Sequence, residues 1–197
     1  KKNIKNFDNS KYKSTCIDSY KKAINDKVDA IFVASSSESH FAIVKYALER
    51  KKNVFVEKPI CFKQKQFKLL QKLAKKNKLL LHINYIHLFN NNFISLIKNF
   101  NKNNNNKKKY SINILLGKKG PIRKKTSIIM DWGPHILSMI NYILNNNKYI
   151  INHAKIVSKN NELNTYNVFL NLSYKSIEAQ IIFGNKFNKK QTKLNII

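Results

Sequence analysis

The 197-residue chain carries 38 Lys plus Arg against 10 Asp plus Glu, a formal net charge of +28. Hydrophobic residues make up 43% of it, which excludes a wholly disordered chain and fits one large or two small domains. Four glycines and three prolines exclude collagen-like and linker-like chains, and two cysteines, Cys16 and Cys61, exclude a disulfide scaffold or a four-cysteine zinc site.

No run of apolar residues is long enough to span a membrane, and the first residues show no apolar leader core. Arg50 and Arg123 are the only arginines, leaving 36 lysines scattered along the chain. Specific phosphate and base contacts favour the arginine fork over the lysine point charge. Asn and Ile are inflated together with Lys, as an AT-rich coding bias would produce. The charge is therefore read as a solvated surface, with neither a nucleic-acid nor a membrane partner expected.

In chain order, 18–26 reads as a short helix capped by Asp18. Val28 to Ser35 is an almost unbroken apolar run, the pattern of a strand covered on both faces. Phe41, Val44, Ala47 and Leu48 follow at helical spacing, closed by Arg50-Lys51-Lys52. Asn53 to Val56 is a second strand that runs into Glu57-Lys58-Pro59, and Phe67, Leu70, Leu73 and Ala74 mark the next helix. Leu79 to Tyr85 is a third strand. Strands alternating with helices predict a partial doubly wound, Rossmann-like parallel sheet.

The pattern then changes. Phe93, Leu96, Ile97 and Phe100 predict a helix, 101–109 a polar Asn/Lys loop, and Tyr110 to Leu116 a strand. Asp131-Trp132-Gly133-Pro134-His135 opens a helix through about Leu144, with Pro134 in its first turn. Ala154 to Val157, Tyr166 to Tyr174 and Ile177 to Phe183 are strands, the last two joined as a hairpin by Lys175-Ser176. This half predicts an α+β domain with a mainly antiparallel open sheet. The expected domains are 1–88, partial dinucleotide-binding, and 89–197, partial substrate-binding and oligomerisation.

Ligands of open α/β sheets bind at the carboxyl ends of the strands. One such end holds Ser35, Ser36, Ser37 and His40, whose hydroxyls and helix N-terminus suit a phosphate or ribose, or else plain helix capping. The other is Glu57-Lys58-Pro59, a ligand-holding charge pair or an ordinary loop salt bridge. Asp131 and His135 stand i, i+4 on one helix face. There the carboxylate either orients an imidazole base or is simply a cap. No third ligand accompanies that pair, so no metal is expected. His82, His87 and His153 read as core or surface residues.

Taken in order, these segments resemble the Gfo/Idh/MocA oxidoreductases, named for glucose–fructose oxidoreductase and inositol dehydrogenase. Asp29-Ala30-Ile31-Phe32-Val33-Ala34 through His40 is similar to the family's "D-A-V-x-I-A-T-P-N-x-x-H". Ala47 to Pro59 resembles "A-L-x-x-G-K-H-V-x-x-E-K-P", Tyr85 to Asn90 "Y-x-x-R-F-N", and Asp131 to His135 "D-x-G-x-H". The resemblance implies a cytoplasmic NAD- or NADP-dependent dehydrogenase of sugars, cyclitols or nucleotide sugars, homo-oligomeric through the second domain's sheet. It implies that Lys58 hydrogen-bonds the reacting oxygen, that His135 takes the hydroxyl proton, and that Asp131 orients His135 or binds a substrate hydroxyl. Ser35, Ser36, Ser37, His40, Glu57 and Lys58 would line the cofactor cleft. The chain departs from the pattern where three serines replace Thr-Pro-Asn and Leu88 replaces Arg. No glycine precedes Gly117, so the family's Gly-rich phosphate loop is expected to lie outside this sequence. The C-terminal end of the sheet is likewise expected to be missing. The alternative expectation is a non-catalytic binding or oligomerisation protein that keeps the fold without the cofactor.

Overall fold

The computed structural model describes residues 15–103, 109–120, 126–145, 148–160 and 165–197. The chain divides into two units, Lys1–Asn84 and Tyr85–Ile197, so residues 85–88, which the sequence placed with the first domain, go with the second.

The first unit runs α1 (Tyr20–Ala23), β1 (Ala30–Val33), α2 (Ser37–Glu49), β2 (Asn53–Glu57), α3 (Gln64–Lys76) and β3 (Leu81–Asn84). Its strands form a parallel sheet in the order β1-β2-β3. Right-handed crossovers between strands laid down in sequence put both connecting helices on the same face. There Val33, Val54 and Val56 pack with Val44 and Leu48 of α2 and with Leu70 of α3. Leu48 and Leu70 are fully buried, each contributing about 1.5–3 kcal/mol.

The opposite face differs from expectation. Register partners Phe32, Phe55 and His82 stack across the sheet at 4.9 and 4.7 Å, and Phe32 is 63% exposed. Among the described residues β1 is covered on one face, because α2 and α3 share a side. The first helix is also shorter than expected. It is a single turn whose N-cap is Ser19, with Asp18 reaching Lys22 at 3.9 Å on the surface.

The second unit begins with a 3-10 turn, Ile86–Phe89, and α4 (Asn91–Asn103). The Asn90 carboxamide oxygen caps α4 by accepting from the Asn92 and Phe93 amides. The expected Asn/Lys loop is therefore partly helix, since Asn101 to Asn103 belong to α4; 104–108 lie outside the described residues. β4 (Tyr110–Lys119), α5 (Ile128–Leu144), β5 (Ile150–Asn160), β6 (Thr165–Tyr174), β7 (Ile177–Gly184) and β8 (Lys186–Ile196) follow.

The sheet order is β5-β6-β7-β4-β8. All its pairs are antiparallel except β4 with β7. The β6–β7 hairpin turns on Lys175, whose φ of 53° lets the chain reverse in two residues. Strand alternation sends Ile112, Ile114 and Leu116, with Leu172, Ile181 and Phe183, to one face. There they pack with Ile136 and Ile140 of α5 and Ile97 of α4. Gly117 and Gly184 are register partners, and a Cβ at either would run into main chain, the Gly184 or the Tyr166 carbonyl. Gly184 also holds φ +155°.

Candidate functional site

Lys58 follows directly on β2, and Ser35–Ser37 follow on β1. The strands are parallel, with Val33 opposite Val56, so both segments leave the same edge of the first unit's sheet side by side. The Lys58–Pro59 peptide is cis, and the lysine is half-buried. Glu57 is held by its register partner on β3, with the Asn84 amide donating to Oε1 at 2.6 Å.

The serine segment does not cap in the simple way. Ser36 is the N-cap of α2, yet its hydroxyl makes no capping bond. Ser39 instead donates to the Ser36 carbonyl at 2.7 Å and meets the Ser35 hydroxyl at 2.6 Å. Ser35 and Ser36 are exposed and Ser37 half-buried.

His40 is 1% exposed. Nδ1 lies 2.9 Å from the Pro59 carbonyl and Nε2 2.9 Å from the Ser35 carbonyl. One buried ring therefore ties the loop after β1 to the loop that carries Lys58.

In the second unit, α5 starts earlier than its sequence suggested. Ser127 is the N-cap, its hydroxyl accepting from the Met130 amide at 3.2 Å. Pro134 consequently lies inside the helix rather than in its first turn, and Asp131 sits in the first turn, where the helix dipole favours a carboxylate. Asp131 and His135 stand one turn apart on the same side. His135 is 6% exposed, and its ring meets His87 edge to face, centroids 4.7 Å apart.

His87 is the residue that sequence reasoning missed. It sits in a 3-10 turn, which has no apolar periodicity to read. Its one signal was proximity to the Phe89-Asn90 element. His82 stacks on Phe55, and His153 is exposed on β5 beside Phe169 at 6.3 Å. Among the described residues no three His, Cys, Asp or Glu side chains gather as a metal site. Among them too, no helix is long and apolar enough to cross a membrane.

A parallel βαβαβ segment followed by a unit built on a mixed, mainly antiparallel sheet is the architecture of two-domain dinucleotide-dependent oxidoreductases. Residues 1–85 match the GFO_IDH_MocA family, described as an oxidoreductase family with an NAD-binding Rossmann fold. A dehydrogenase from Clostridium difficile superposes with a TM-score of 0.78 at 22% identity, covering 96% of this chain and 60% of that one. An NAD-binding protein from Listeria innocua gives 0.73 at 20% identity, covering 92% and 56%. Biliverdin reductase from Synechocystis, solved with biliverdin and NADP+, gives 0.72 at 16% identity, covering 95% and 63%. These likenesses establish the fold. The chain spans less than two-thirds of the length of each of these proteins. No curated protein matches the sequence.

Proposed function

We propose that this chain is part of a nicotinamide-dependent oxidoreductase that moves a hydride between the cofactor and a hydroxyl-bearing carbon. The observation that carries the reading is the pair of neighbouring strand tips. Ser35–Ser37 and Glu57–Lys58 leave adjacent parallel strands at the edge where open α/β sheets bind nucleotides. The donor set suits NAD or NADP: exposed hydroxyls and the start of α2 for ribose and phosphate oxygens, a carboxylate and an ammonium one strand over. Ser35, Ser36, Ser37, Glu57 and Lys58 would hold the cofactor, which supplies hydride acceptance and donation. His40 serves that cleft from beneath, by fixing both loops.

In this reading Lys58 donates a hydrogen bond to the reacting oxygen and stabilises the charge that develops there. His135 takes the hydroxyl proton as a general base. Asp131 orients the imidazole, and His87 restrains the plane of its ring. The family resemblance favours a sugar, cyclitol or nucleotide sugar and a cytoplasmic setting. Association of copies through the second unit's open sheet face belongs to the same reading. That face carries Leu115, Phe169 and Ile182 as one half-buried cross-strand row.

The test is hydride transfer by the full-length protein, followed by nicotinamide absorbance. Lys58→Ala and His135→Ala should each lower turnover by about 10²–10⁴-fold. Unchanged turnover in both removes the assigned roles. Calorimetric titration with NADH and NADPH separates the rival: a stable oligomer that binds neither favours a non-catalytic protein.

A further inference from the structure

Within the second unit a cleft of about 220 Å³ lies between α4, α5, β4 and β8. Its apolar walls are Phe93 and Leu96 from α4, Ile114 and Leu116 from β4, Met139 from α5 and Leu194 from β8. Its polar contributors are His87, Asn90, Asn92 and Thr192. Lys193 also touches the cleft. It pairs with Leu115, however, and strand alternation sends its side chain to the other face of the sheet. No carboxylate lines the space. In a chain with 38 Lys plus Arg, a lining whose one lysine is turned away is a local exception.

His87 faces two ways. It lines this cleft, and its ring lies 4.7 Å from that of His135. Met139, another wall residue, stands one helical turn beyond His135. An occupant of the cleft is therefore one ring away from the residue to which proton transfer is assigned.

We propose that this cleft is a subsite for a predominantly apolar, ring-sized part of an uncharged ligand, with a hydroxyl or carbonyl oxygen at the His87 end. The proposal rests on the reading of His135 given above for the word substrate, and it departs from the sugar or cyclitol class that the family resemblance favours. The chemistry of the walls sets the class. A ring hydroxylated all round would press polar groups against five hydrocarbon side chains and one thioether that return little hydrogen bonding, and buried hydroxyls without partners oppose binding. A ring with one oxygenated edge presents hydrocarbon to hydrocarbon, and its oxygen to the imidazole, amide and hydroxyl groups at the rim.

The experiment uses the chain as it stands. Cyclohexanol and, in parallel, myo-inositol are titrated while the methyl resonances of Ile114, Leu116 and Met139 and the ring resonances of His135 are followed by NMR. Cyclohexanol should shift all four residues saturably, at concentrations at least about tenfold below those myo-inositol requires. Leu96→Trp, which fills the cleft from α4, should weaken cyclohexanol binding by about tenfold or more. Thr192→Trp blocks the same space from an exposed position on β8 and carries the test if Leu96→Trp fails to fold. The proposal is overturned if the wall methyls do not respond, if myo-inositol binds there as well as cyclohexanol, or if neither blocking variant weakens binding. The two readings fail separately. Cyclohexanol binding without hydride transfer by the full-length protein would sink the enzyme and leave the subsite, whereas turnover with a silent cleft would do the reverse.

Discussion

His40 holds two loops together with a single ring, from the carbonyl of Ser35 to the carbonyl of Pro59. A neutral imidazole has one N–H to donate, so removing the ring costs one carbonyl its hydrogen bond, at about 1–3 kcal/mol, and leaves the other without its contact. His40→Ala should therefore lower the urea midpoint and loosen the Lys58 loop; an unchanged midpoint would show that the clamp contributes nothing. The two cysteines make a second contrast. Burial pushes the Cys61 thiol above its ordinary value, and the thiolate is the reactive form. Cys16 is exposed. A thiol reagent should modify Cys16 first, with Cys61 lagging and gaining speed only as pH rises; equal rates near neutrality would contradict this. At this scale the sequence was legible where chemistry coincides with a boundary. Lys58 stood out because an apolar run ended at Glu57 and a proline followed. His87 did not, because its partner is a helix more than forty residues away in sequence and nothing local encodes that meeting.

At the scale of elements, the second sheet holds Gly117 and Gly184 in register, each where a Cβ would meet main chain. Gly184→Ala must place a Cβ against the Tyr166 carbonyl in a backbone conformation that only glycine adopts readily. We expect a loss of about 2–4 kcal/mol, read as a lower denaturation midpoint; a neutral variant would mean that the strands can part there at no cost. Helices with a clean apolar stripe, such as α3, were legible in outline, as was the β6–β7 hairpin. The start of α5 was not. Its cap, Ser127, precedes three apolar residues that carry no helical signal of their own, so Pro134 looked like a beginning. Most of β8 was hidden as well, only its end near Ile196 reading as strand. Lys189, Lys190 and Lys193 break its alternation, which an edge strand tolerates because only β4 pairs with it.

For the whole molecule, the net charge of +28 opposes compaction through self-repulsion. The ion pairs Asp18–Lys22 and Glu49–Lys45 are exposed and relieve little of it. Added salt screens repulsion over about 8–10 Å at moderate ionic strength. The melting temperature should therefore rise from low to moderate salt; a flat or falling curve would show that the lysines sit too far apart to oppose one another. Composition alone made this property legible. It could not show that both crossover helices would share one side of the three-stranded sheet, because an apolar run records that a strand is buried and not from how many sides.

Phe32 leaves most of its ring exposed, with Phe55 and His82 half-buried in the same stack, and the lysines are what hold other molecules off it. The ionic strength that steadies each molecule also lowers the barrier between molecules, so a concentrated sample in brine should begin to clump through its rings while each fold inside the clump is at its firmest.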